Sequence, residues 1–70
     1  MATPKKVKVK PTVEQLLEMQ VTLIEQRKAF FACQIAKISF RNFMMVMNDG
    51  AELEEQQLLK LLRYAKSIKE

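Results

Sequence analysis

The chain has 70 residues, twelve Lys or Arg against eight Asp or Glu, one cysteine and no histidine. A domain this small buries a modest core and usually relies on a disulfide, a metal or a second chain. Cys33 alone excludes an intrachain disulfide, and one cysteine without histidine builds no zinc site, which leaves oligomerisation or docking on a larger partner as the expected stabiliser.

The net charge of +4 is concentrated at the start of the chain. Lys5, Lys6, Lys8 and Lys10 lie in residues 1–11 with no acid among them, and the remaining bases and acids cancel. The expected picture is a neutral body carrying a basic arm. Two prolines, Pro4 and Pro11, and a Lys/Val alternation disfavour a helix there, so residues 1–11 are expected to be a flexible, disordered arm. The four lysines offer point-like, sequence-blind phosphate contacts, making nucleic acid a candidate partner. Pro4 followed by Lys5-Lys6-Val7-Lys8 also resembles a monopartite nuclear localisation signal. That resemblance implies nuclear import if the source has a nucleus. A solvated tail with no specific role is the plainer alternative.

Thr12-Val13-Glu14-Gln15 fits a capping box, with the Thr hydroxyl accepting from the Gln15 N–H and the Gln15 side chain reaching back. From Val13 to Met47 there is neither Gly nor Pro. The expectation is one continuous helix over about 13–48, roughly 50 Å long at ~1.5 Å per residue. The turn Asn48-Asp49-Gly50 ends it, with Gly50 suited to the left-handed conformation and Asp49 to capping the next helix. The second helix is expected over about 51–68, with its acids early and its bases late, as the helix dipole favours. The fold class is therefore all-α: a long helix and a shorter antiparallel one forming a helical hairpin, in one domain over residues 12–70.

The apolar face of the long helix changes sides. At about 100° per residue, Val13, Leu16, Leu17, Leu23 and Ile24 share one face, with Val21 at its margin and Thr22 opposite. Beyond Lys28 the apolar positions become Ala29, Cys33, Ala36, Phe40, Phe43 and Met47, whose alternating four- and three-residue spacing suits a coiled-coil-like seam. Either the helix breaks near 27–29, or a continuous helix shows its two halves to different partners. The continuous helix is the working expectation. A second helix folded back from Gly50 then reaches only to about Phe31, and the first half overhangs. Leu16, Leu17, Val21, Leu23, Ile24, Phe30 and Phe31 are the candidate interface, for a homodimer or a larger helical assembly.

Leu58–Leu62, "LLKLL", resembles the LxxLL box by which coactivators dock on nuclear receptors. The same leucines at helical spacing also form the stripe expected of a hairpin core. Catalytic residues are not expected, since there is no histidine for general-base work and no Gly-rich phosphate loop. No metal, cofactor or small-molecule substrate is expected either. Cys33 lies on the apolar seam and reads as a buried structural thiol. The longest apolar runs are too short for a membrane span. No secretory signal is expected, and an unpaired cysteine suits a reducing, intracellular compartment. The function expected is a non-enzymatic protein–protein interaction module: an adaptor, regulator or assembly component.

Overall fold

The computed structural model describes residues 7–69 and is mostly helical. In chain order there is a short strand β1 (Lys8–Val9), then helix α1 (Val13–Met19), which continues into a π-helical turn (Gln20–Ile24). Helices α2 (Ala29–Ala36) and α3 (Phe40–Asp49), strand β2 (Leu53–Glu54) and helix α4 (Glu55–Lys69) follow.

The capping box forms as expected. The Thr12 N–H donates to Gln15 Oε1 at 2.9 Å, and the Gln15 N–H donates to Thr12 Oγ1 at 3.2 Å. The continuous helix over 13–48 does not form; three helical segments take its place. Neither break needs Gly or Pro. Arg27 takes a left-handed conformation (φ 59°), while its N–H donates to the Ile24 carbonyl and the Lys28 N–H donates to that of Leu23. Lys37 repeats the pattern (φ 58°), with its N–H on the Gln34 carbonyl and the Ile38 N–H on that of Cys33. Both are Schellman motifs, which satisfy the last carbonyls of a helix as they turn the chain away. At the second, Ile38 drops into the core beside Cys33, the apolar contact that accompanies such a cap. Ser39 then caps α3 by accepting from the Asn42 N–H at 3.1 Å.

The π turn explains why a uniform wheel misplaces the first segment. Its wider hydrogen-bond pattern changes the angle per residue, so positions after Met19 rotate away from a 3.6-residue register. Thr22, on the expected polar face, is buried, and its hydroxyl donates to the Glu18 carbonyl. That back-bond satisfies the buried hydroxyl.

The arm is also partly folded. Val9 pairs with Leu53 and Lys8 with Glu54 in an antiparallel ribbon, and the Glu55 N–H donates to the Val7 carbonyl at 2.8 Å. Residues 7–11 are therefore not a disordered arm. The pairing holds Leu53–Glu54 extended and Leu53 buried, so α4 starts at Glu55 and Asp49 does not cap it. Gly50 closes α3 in the left-handed conformation as expected. Gln57 locks the start of α4: its Oε1 accepts from the Glu54 N–H, and its Nε2 donates to the Lys37 carbonyl at 3.0 Å.

The two-helix hairpin gives way to a bundle around α4. The main neighbours of α4 are α2, α1 and the π turn, while α3 lies against α2. One core joins Met19, Leu23, Ala32, Cys33, Phe43, Val46, Leu58, Leu61 and Ala65. Met19 and Leu23 pack within it, so no unpartnered overhang remains.

The left-handed residues make a paired prediction. Lys37→Gly removes the Cβ that this conformation penalises and raises stability by up to ~1 kcal/mol, net of the added unfolded-state entropy. Gly50→Ala, at φ +70° with open space around the new Cβ, lowers it by about 1 kcal/mol through backbone strain alone. Urea midpoints of the two variants move in opposite directions.

Candidate interaction surface

α2 reverses the usual arrangement of an amphipathic helix. Its buried positions are all small: Ala29, Ala32, Cys33 and Ala36. Its large apolar side chains point outward. Phe30 is 65 % exposed, Phe31 is 55 % exposed and Ile35 is 41 % exposed. The small residues let α2 sit close to its neighbours, and burying the large ones elsewhere would gain ~1.5–3 kcal/mol each.

These side chains form a contiguous patch. The Phe30 ring centroid lies 6.0 Å from that of Phe40 on α3, and Phe40 lies 6.4 Å from buried Phe43. On the other flank Phe31 lies 5.7 Å from Tyr64 of α4. Ile35 and Tyr64 then line a shallow cleft of about 360 Å³ with Lys60, Arg63 and Ser67. Scattered exposed hydrophobics are ordinary, whereas a connected patch with a charged rim is the usual form of a binding surface.

Cations predominate around the patch, and Glu55 at the start of α4 shares a neighbouring cleft with Lys60 and Arg63. Residues 26–48 contain Arg27, Lys28, Lys37 and Arg41 and no acid; residues 56–69 contain Lys60, Arg63, Lys66 and Lys69 and no acid. The acids fall in residues 14–25 and 49–55 and at Glu70. The neutral body is thus polarised, with an aromatic face set among cations.

The candidate interface residues divide. Leu23 is fully buried in the core, and Leu16 and Ile24 are half-buried against it. Leu17 and Val21 are exposed on the outer side of α1 and the π turn, in line with Val13. Phe30 and Phe31 lie on the α2 face. Lys8 in the ribbon and Lys10 just after it are exposed, while Lys5 and Lys6 lie outside the described residues. Ile35, Phe40, Tyr64, Lys60 and Arg63 complete the face and were not anticipated. A separate wheel for residues 29–36 would have exposed Ile35, since Ala29, Ala32, Cys33 and Ala36 fall on one side; the others join through tertiary contacts. In "LLKLL", Leu58 and Leu61 are buried, so the leucines that would define a docking box are used in the core.

Among the described residues no group of three or more His, Cys, Asp or Glu side chains is placed to hold a metal ion. No described helix is long and apolar enough to cross a membrane. No family model, curated protein or solved structure matches this chain.

Cys33 is buried, and desolvation pushes its thiol above the ordinary value. The folded protein therefore keeps the thiol proton over a pH range in which the unfolded chain has lost it. The stability this contributes is fully present below the unfolded thiol value, about 8.5, and is lost as pH rises through the folded value. Between pH 7 and 9.5 the urea midpoint of the native protein falls further than that of Cys33→Ala, because only the native chain carries this proton difference.

Proposed function

We propose that the chain is a small non-enzymatic interaction module that takes a protein segment on the outer face of α2, extended by Phe40 and Tyr64. The supporting observation is the inversion of α2: four small residues inward, and Phe30, Phe31 and Ile35 outward. Core packing alone gives no reason to place three large apolar side chains in water on one short helix. The rim specifies the partner's chemistry. With only cations along 26–48 and 56–69, the fitting segment is apolar with acids at its edges. Such a module works as an adaptor, a regulator or a component of an assembly, and an unpaired thiol suits work inside the cell.

A second reading is favoured by the same cation-rich surface. Cations interleaved with Phe and Tyr can hold a single-stranded nucleic acid, with bases stacked on rings and Lys8 and Lys10 adding phosphate contacts. The ring geometry argues for protein. Phe30 and Phe31 are tilted against Phe40 and Tyr64 by 51° and 37°, engaged with neighbours instead of standing clear as platforms.

A photoreactive phenylalanine analogue at Ile35, expressed in the source cell, separates these readings. Asn48, exposed and at the opposite end of α3 from Phe40, carries the control probe. Protein adducts from position 35 and not from position 48 are expected. Nucleic-acid adducts from position 35 would favour the second reading, and no adduct above the control would remove both.

A further inference from the structure

We infer that the acidic, apolar segment taken by this face is the outer side of α1 from a second copy of the same chain. The inference rests on the docking face proposed above and adds the identity of its occupant. The outer side of α1 and its π turn has the chemistry the rim calls for. Val13, Leu17 and Val21 follow one another at four-residue spacing and all three are exposed. Residues 12–26 contain Glu14, Glu18 and Glu25 and no base. The inner side of the same segment is already used, since Leu16, Met19 and Leu23 pack in the core. What remains outside is an apolar stripe edged with carboxylates, about 12 Å long at ~1.5 Å per residue. It is short enough to lie over Phe31, Ile35 and Tyr64, with Lys60 and Arg63 reaching its acids.

The charge map of the chain supports this pairing over one with an unrelated protein. Residues 12–26 carry acids and no base, residues 26–48 and 56–69 carry cations and no acid, and the two surfaces match in sign, with Glu55 at the start of α4 the acid that shares a cleft with Lys60 and Arg63. Within one copy the only ion pair between them among the described residues is the long Glu18–Lys69 contact of 3.9 Å, with Lys69 well exposed. Glu14 and Glu25 are exposed, as are Lys60 and Arg63. Each copy carries both halves of the contact. Two copies can make it twice about a two-fold axis. Where the surfaces do not close on each other, association runs on to a ring or chain.

The test uses the purified, nuclease-treated full chain in sedimentation equilibrium up to roughly 100 µM, a range that detects micromolar association. Wild type is expected to exceed the 8.2 kDa monomer mass and to dissociate as salt rises. Glu14→Lys with Glu25→Lys, and separately Lys60→Glu with Arg63→Glu, each weaken association at least about ten-fold, the scale set by losing charge pairs. Mixing the two charge-reversed proteins restores it, because each then presents the sign the other lacks. Leu17→Ser with Val21→Ser, at exposed positions, also gives the monomer while circular dichroism stays native. Association unchanged by all three variants would overturn the inference, as would association seen only before nuclease treatment. A wild type that stays monomeric throughout would overturn it too. If position 35 still cross-links to another protein in cells, the docking face stands with a different occupant; if it does not, both fall together.

Discussion

The close approach of α2 to α4 is the contact on which the rest of the molecule depends. Ala29, Ala32, Cys33 and Ala36 present almost no side chain toward the core, so α2 can lie tight against the helix that carries Leu61 and Ala65. That leaves α4 free to contact α1 and the π turn as well, making it the common strut of the bundle. It also fixes the surface. With the small residues inward, helical geometry puts Phe30, Phe31 and Ile35 outward. Packing and display are two sides of one eight-residue helix. Interior packing tolerates little change in volume, so the seam is constrained by packing while the exposed face is not.

The path of the chain follows from two helix ends that carry no glycine. Left-handed Arg27 and Lys37 cost about 1–2 kcal/mol each, and satisfied carbonyls and the burial of Leu23 and Ile38 oppose that cost. Helical class, the Thr12 capping box, the Gly50 stop, buried Cys33 and the leucine stripe of α4 were all legible in the residues, because each is set by local chemistry or clear periodicity. The first break, near 27–29, was one of the two readings of the residues, although the continuous helix was preferred; the second was not legible, because reading helix ends from Gly and Pro misses a Schellman turn closed by Lys. The change of apolar face near Lys28 was the trace of the first break, and Ser39 was the available sign of the second. The β ribbon was illegible for a different reason. Lys8–Val9 and Leu53–Glu54 are far apart in sequence, and the Lys/Val alternation ahead of Pro11 does not say which segment pairs with it.

The candidate surface was half legible. Phe30 and Phe31 stood out as large apolar residues at the changeover, and Leu17 and Val21 do lie outside. Leu23 was misplaced because the first segment packs against α4 instead of overhanging, so the face it shares with Leu16 turns to the core. Tyr64 and the cations Lys60 and Arg63 join the face only through the tertiary contact of α2 with α4, which periodicity in either helix cannot report. The same contact reshapes the electrostatics. A chain neutral beyond its first residues becomes a body with acids along α1 and in residues 49–55, and with cations predominating around the aromatic face.

The inward-small, outward-large arrangement of α2 is tested most directly by comparing the urea stabilities of Ala32→Leu and Phe30→Ala. If Ala32 lies on the close seam, the added methylenes have no room, and Ala32→Leu loses ~1–3 kcal/mol. Phe30→Ala, at an exposed site whose ring contact is with Phe40, loses less than about 1 kcal/mol. The reverse order, with Ala32→Leu tolerated and Phe30→Ala strongly destabilising, would place the aromatic side in the core and contradict the account.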